Sequence, residues 1–405
     1  MKRSIAILTI LTLFCGAILF LPGCDWFTKK KPGVPTTYPY VFVHGLNGFG
    51  DDTDSPAVSY WGGTAGTLLP VLREQGTMCF APSGNPMGSA WDRACELYAS
   101  IAGGLVDYGA AHSAAHNHDR FGKDFGEPLF DWGTVDANGN LRKVNLIAHS
   151  FGGATARLMC ALLLGGAPAE VTAAGENCSP LLTGGKGDWV FSVTCLAAPH
   201  NGTSLLTILD VNPAISSLAS FLGSAGMDGI LSKLGFTWGG MGIGEVLRAA
   251  KTADTAYYDL SLTGAKEVNA LTRNLCPETY LFSYPVDGTV NGKPNDDMTM
   301  LYRPLGLLMG SFTSPENGID DAWKPNDCLV NTISATYPFE EPSQTVTDPA
   351  ALKPEGLKAA TWYVMPTLRG DHGSVIGLAR SMEETLPLYN EIIQRVDALS
   401  KYVTG

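Results

Sequence analysis

Positive charge is scarce in this 405-residue chain: 27 lysines and arginines stand against 39 aspartates and glutamates, for a formal net charge of −12. An excess of that sign works against binding to nucleic-acid phosphates or an anionic surface, so no nucleic-acid partner is expected. Histidine is rarer still, with seven in the whole chain. No internal repeat is apparent, which argues against a stacked-repeat architecture. Beyond Cys15 and Cys24, seven of the nine cysteines remain at irregular spacing, an odd number that defines no disulfide framework. Cys160 and Cys195 fall in apolar runs and read as small core residues. Cys178 and Cys276 lie in loop-like sequence, and their pairing stays open.

Against that background one segment is conspicuous. Val144-Asn145-Leu146-Ile147-Ala148-His149-Ser150-Phe151-Gly152-Gly153 is an apolar run that breaks into a turn of small residues with a serine at its tip. A strand that turns sharply into a helix lifts its central side chain above the sheet, and only nearly bare flanking positions permit the turn. Ala148 and Gly152 flank Ser150, and Gly153 lets the following helix close in. The pattern is A-x-S-x-G where G-x-S-x-G is usual, and with 47 glycines in the chain it needs partners to carry weight.

A serine hydroxyl needs a base, and the base needs a carboxylate to orient it. For a strand-turn-helix nucleophile the chain order is Ser, acid, His. Only His200 and His372 follow Ser150. His200 comes too early to leave room for an acid, so the expected base is His372, in the loop Gly370-Asp371-His372-Gly373. For the acid, Asp327 is preferred over Asp320 and Asp321, because it follows a turn residue and directly precedes a β-prone segment. Asp371 is a weaker rival, since it would point away if His372 faces the serine. Two backbone N–H groups suit a developing oxyanion: Phe151, next to the nucleophile, and Leu46, after the run Tyr40-Val41-Phe42-Val43-His44-Gly45.

The strings His44-Gly45, Tyr60-Trp61-Gly62-Gly63, Trp91-Asp92-Arg93-Ala94-Cys95-Glu96, Val106-Asp107-Tyr108-Gly109-Ala110-Ala111-His112, Ala148-His149-Ser150, Tyr258-Asp259-Leu260-Ser261 and Asp371-His372 are ordered and collinear from about Tyr40 onward. In these the chain resembles the zinc-containing lipases of thermophilic bacilli and staphylococci, within the α/β-hydrolase superfamily. The resemblance implies a serine ester hydrolase with nucleophile Ser150, acid Asp327 and base His372. Cys328 stands where that family usually has glycine, which puts the shape of the acid loop in question.

The resemblance also implies a structural zinc held by Asp92, His112, His118 and Asp254. Two imidazoles and two carboxylates make a closed tetrahedral set with no open position for chemistry. From spacing alone, His112 and His116 would look like a helical i, i+4 metal pair; the resemblance favours His118 and leaves His116 at the surface. The family's calcium site is not expected here. Ser374 and the Ala379-Arg380 region replace its acidic residues, and a hard cation needs several oxygen ligands.

Residues 1–24 read as an export signal: Lys2 and Arg3, an apolar run, then Leu21-Pro22-Gly23-Cys24, similar to a bacterial lipobox with Cys24 as the lipidated residue. An uncleaved anchor is the alternative, because the run is barely long enough to span a bilayer. Residues 25–38 are a linker, and 39–405 one catalytic domain facing outward. Strand-like runs at Tyr40–Val43, Met78–Ala81, Val144–Ala148, Val190–Leu196, Thr279–Tyr284 and Thr361–Met365 alternate with helix-prone stretches such as Thr155–Leu164 and Glu383–Leu399. This predicts an α/β fold, a mostly parallel sheet flanked by helices. The resemblance places a zinc-binding insertion at about 84–125 and a lid at about 211–253, where the sequence is apolar with amphipathic helical spacing. A lid this short suggests an open cleft that suits bulky esters, so a polyester hydrolase or short-chain carboxylesterase is the alternative enzyme, and a non-catalytic lipid-binding lipoprotein the alternative outside catalysis.

Overall fold

In the computed structural model the described residues are 36–52, 59–212, 243–273 and 277–404. The expected signal segment with Cys24, most of the linker, Cys276, and residues 213–242 of the expected lid lie outside them. Alternating apolar residues build the centre of the fold. In β1 (Tyr40–Val43), Val41 and Val43 face one core cluster while Tyr40 and Phe42 face another. A sheet buried on both faces needs this kind of continuously apolar strand.

After β1 come α1 (Leu68–Glu74), β2 (Cys79–Phe80) and α2 (Ala90–Ala102), then β3 (Leu105–Asp107), α3 (Ala110–His116) and β4 (Phe121–Asp124). β5 (Val144–His149) runs into α4 (Gly152–Gly165) and α5 (Pro168–Ala174), followed by β6 (Val190–Leu196) and α6 (Ser204–Val211). The chain continues through α7 (Ile243–Ala249), α8 (Ala256–Leu260), α9 (Leu262–Thr272), β7 (Tyr280–Tyr284) and α10 (Arg303–Gly310). It closes with β8 (Ser343–Thr345), β9 (Trp362–Val364) and the long α11 (Met382–Thr404).

The central sheet has seven strands in the order β8-β9-β7-β6-β5-β1-β2, and every pairing is parallel. Parallel neighbours need crossovers, which places helices on both faces. Leu158, Leu162 and Leu163 of α4 and Ala94, Leu97 and Ile101 of α2 pack on one face. Leu68, Leu69 and Leu72 of α1 and Tyr389, Ile392, Val396 and Leu399 of α11 pack on the other. Each fully buried large side chain contributes roughly 1.5–3 kcal/mol. β3 and β4 form a separate antiparallel pair beside α2. At the pole where the strands begin, Thr37 N–H donates to Asp397 of α11 (2.8 Å), and Thr37, Tyr38 and Thr404 line one cleft.

The expected α/β architecture with a mostly parallel sheet is the one observed. The expected strands shift by a residue or so at their ends: Met78–Ala81 is reduced to Cys79–Phe80, and Thr361–Met365 to Trp362–Val364. β8 was not expected; its Ser, Gln and Thr are all exposed at the sheet edge and carry no apolar signal.

Candidate active site

Parallel strands deliver their following loops to one edge of the sheet, where ligands of such folds bind. Ser150 follows β5 with φ +56, the strained left-handed turn expected of an elbow. The turn is closed by Ser150 N–H donating to Leu196 O (2.9 Å) and by Gly153 N–H donating to Ser150 O (2.9 Å). A Cβ at Gly152 would lie 2.3 Å from Val43 O, and one at Gly153 would lie 2.6 Å from Ala198 Cβ, so both positions require bare backbone.

The loop after β9 brings His372 to the serine, with Nε2 2.8 Å from Ser150 Oγ. On the other side of the ring, Nδ1 is 2.8 Å from Asp327 Oδ2. All three side chains are buried. The remaining oxygen of Asp327 accepts from Leu329 N–H (3.0 Å) and Val330 N–H (2.7 Å), and His372 N–H donates to Asp327 O (2.9 Å). The rivals are occupied elsewhere. Asp371 accepts from the N–H groups of Thr299, Gly373 and Ser374, and Asp320 caps its own turn through Ala322 N–H. Asp321 pairs with Lys324 at the surface, and His200 is buried beside Arg157 and Trp362. Cys328 takes the glycine-like conformation of its loop, with φ +81, while fully buried.

Two residues without a role in the sequence reading hold the His372 loop in place. Tyr60 hydroxyl accepts from Gly45 N–H (2.7 Å) and donates to His149 Nδ1 (2.7 Å). His149 Nε2 then donates to His372 O (3.0 Å), with the two rings 4.8 Å apart. Burial, and next the nearby His372, hold His149 well below the usual imidazole range, so it stays neutral and keeps this tautomer. His149 occupies a variable position of the serine motif, and no local pattern marks Tyr60 as its partner.

Among the described residues, neither Leu46 N–H nor Phe151 N–H donates to a protein acceptor. Phe151 is the N-cap of α4, whose amino end favours negative charge.

A second cluster joins α2, α3 with the loop after it, and the loop before α8. One ligand atom each from Asp92, His112, His118 and Asp254 falls within 4.8 Å of the others. His112 Nε2 is 3.3 Å from Asp92 Oδ1 and 3.2 Å from Asp254 Oδ1; His118 Nε2 is 3.4 Å from Asp254 Oδ2 and 3.9 Å from Asp92 Oδ1. Bonds of about 2.0–2.1 Å to a tetrahedral ion would set such edges near 3.3 Å. Asp92 Oδ1, His112 Nε2, His118 Nε2 and Asp254 Oδ1 are buried without a hydrogen-bond partner, an arrangement that fits a structural metal. The ligands are themselves held. His118 Nδ1 donates to Asp119 O (2.8 Å), Trp91 stacks on His112 (4.9 Å), and Glu170 accepts from the N–H groups of Ala111 and His112. His116 is exposed and outside the set. In the region of the family's calcium, Ser374 hydroxyl donates to Asp371 O and Arg380 donates to Arg369 O.

Comparison with known proteins gives this geometry a context. Residues 36–230 match a family described as "Lipase-like, C-terminal domain". A Staphylococcus hyicus lipase is 35% identical over 360 residues, covering 84% of this chain and 53% of that protein, so the chain spans about half the length of the curated relatives it matches. Among solved structures, lipase 1 from Pelosinus fermentans superposes with a TM-score of 0.70 at 33% identity, covering 89% of this chain and 99% of that one. The crystal structure of Staphylococcus hyicus lipase superposes with a TM-score of 0.73 at 30% identity, covering 95% of this chain and 100% of that one. Shared fold, collinear sequence and near-complete coverage of these solved lipases agree: the chain belongs to the bacterial lipase family of α/β-hydrolase type that includes the Pelosinus and staphylococcal enzymes.

Proposed function

We propose that this protein is a serine ester hydrolase acting on carboxylic esters such as acylglycerols through an acyl-enzyme. The observation that carries this reading is the unbroken relay from Ser150 Oγ through His372 to Asp327, with 2.8 Å at each step. Ser150 Oγ attacks the ester carbonyl while His372 Nε2 takes its proton. Asp327 keeps the Nδ1–H tautomer in place and stabilises the imidazolium. The N–H groups of Leu46 and Phe151 receive the oxyanion, a contribution of about 2.7–4 kcal/mol per preorganised donor. The alcohol leaves with the proton from His372. Water, deprotonated by the same imidazole, then releases the acid and restores Ser150.

Asp92, His112, His118 and Asp254 would hold zinc, which suits two imidazoles and two carboxylates. Bound there, zinc would supply a cross-link from α2 and α3 to the loop before α8 and no reaction chemistry. Calcium is not assigned to the Ser374 and Arg380 region. We further assign residues 1–24 as an export signal ending in a lipidated Cys24, 25–38 as a linker and 39–405 as the catalytic domain, which places the enzyme outside the cell and at the membrane through its lipid.

The test is hydrolysis of p-nitrophenyl esters from acetate to palmitate by the full chain. Ser150→Ala should lower the rate at least about 10⁴-fold and abolish labelling by a fluorophosphonate. A wild type that neither turns over any ester nor reacts with the probe would sink the reading.

A further inference from the structure

The oxyanion donor Leu46 lies in a tight turn closed by Gly48 N–H donating to Gly45 O (3.2 Å), and the peptide that carries its N–H is also held from outside that turn. The polar groups around it are accounted for. Gly45 N–H is held by Tyr60, and Asn47 N–H donates to Pro86 O (2.8 Å). Gly45 O accepts from Arg93 Nη1 (3.0 Å) and from His44 Nδ1 (2.9 Å), and His44 O accepts from Arg93 Nη2. His44 Nε2 in turn accepts from Gly84 N–H (3.0 Å), which fixes its tautomer. Arg93 is 2% exposed; its Nε donates to Thr155 Oγ1 of α4 (3.1 Å), and its guanidinium lies 5.3 Å from the Phe151 ring centre.

In a planar trans peptide the C=O and the following N–H point in opposite directions, and the described backbone has no cis bond. Drawing Gly45 O toward Arg93 therefore turns Leu46 N–H away from Arg93. Gly45 itself abuts the nucleophile, since a Cβ there would lie 2.7 Å from Ser150 Cβ. One guanidinium thus holds the loop that carries one donor and packs beside the residue that carries the other.

Arg93 is also the residue after Asp92, in the first turn of α2. Asp92 points into the metal cluster while Arg93 points into the core. Without a cation the Asp92 and Asp254 carboxylates converge on one another, and like charges repel. We infer that Arg93 is the positioning residue of the oxyanion site, and that the metal cluster steadies it through Asp92. This rests on the ester-hydrolase reading above and adds a link between the metal and the rate.

The test uses the intact, metal-loaded protein, p-nitrophenyl butyrate, and an alkylboronic acid. Boron forms a bond to Ser150 Oγ as the hydroxyl proton passes to His372, giving a tetrahedral anion that uses the same donors. Because Arg93→Met leaves a buried pocket without its charge, Arg93→Lys is the deciding variant; its ammonium keeps the charge but loses the fork. Expected are a kcat lowered about 10- to 100-fold with KM within about threefold, and a boronate Ki raised by a similar factor. Stripping the wild type with a chelator, at a temperature where it stays folded, should weaken boronate binding in the same direction. The same treatment of Arg93→Lys should add little, because coupled residues are not additive.

A lysine variant with fewer titratable active sites but unchanged Ki would mean that Arg93 only supports folding, and would overturn the first link. Unchanged boronate affinity in chelated wild type would overturn the second. Failure of the wild type to hydrolyse the ester or bind the boronate would instead count against the ester-hydrolase reading itself.

Discussion

Cys328 shows how much one side chain's backbone can matter. It adopts φ +81 beside Asp327 and packs with Met298, Tyr302 and Leu378. A left-handed non-glycine residue costs roughly 1–2 kcal/mol, a penalty that alanine keeps and glycine removes. Since both replacements lose the sulfur, Cys328→Gly should be more stable than Cys328→Ala by about 1 kcal/mol in urea unfolding; the opposite order would show that position 328 is not strained. The meeting of Ser150, Asp327 and His372 was readable because the chemistry of a nucleophile, the chain order of its partners and the scarcity of histidine left few choices. Tyr60, His149 and Arg93 were not. Their contacts join residues 89, 223 and 48 positions apart, and such distances leave no mark in local spacing.

At the level of elements, short apolar runs made six of the seven central strands legible, and the exposed edge strand β8 escaped for lack of one. The segment from β3 to β4, expected to be part of a zinc-binding insertion, stood out mainly by resemblance. α3 has seven residues and β3 three, too short for a periodic pattern to speak. Short elements without a deep core depend on cross-links, so metal removal should act locally. Chelation is expected to speed amide exchange about tenfold or more across β3, α3, β4 and the first turn of α2, while β5 and β6 stay protected. Hydrogen-exchange mass spectrometry would read this; uniform acceleration through the sheet would show that the ion does not clamp the insertion.

For the whole molecule, the buried histidines contribute to the response to acid. Burial, followed by Arg93, lowers His44 to about 3; burial, followed by Arg157, holds His200 well below the imidazole range. Below 6.5 the unfolded chain takes up protons that these folded residues refuse, so their contribution to stability is complete above 6.5 and is lost as pH falls toward the folded value. Burial acts in the opposite sense on Asp259, raising it to about 7, so its contribution weakens as pH rises from 3.8 toward 7. The two kinds of group offset one another, and a difference measurement separates them. His200→Gln should make the loss of stability below 6.5 shallower by about 1.4 kcal/mol per pH unit, measured by urea unfolding from about pH 7 to about pH 5. Parallel curves for variant and wild type would mean that His200 is charged in the fold.

The bond between Thr37 and Asp397 brings the first strand's entry and the last helix together at the pole opposite Ser150. Both ends of the described domain therefore leave from one side, and Ser150 lies at the other. A bead, a surface or a fusion partner attached at position 37 or 404 would sit on the far side of the described domain from the serine. A short peptide joining position 404 to position 37 would close the chain into a ring, from which new ends could be cut in any exposed loop away from the site.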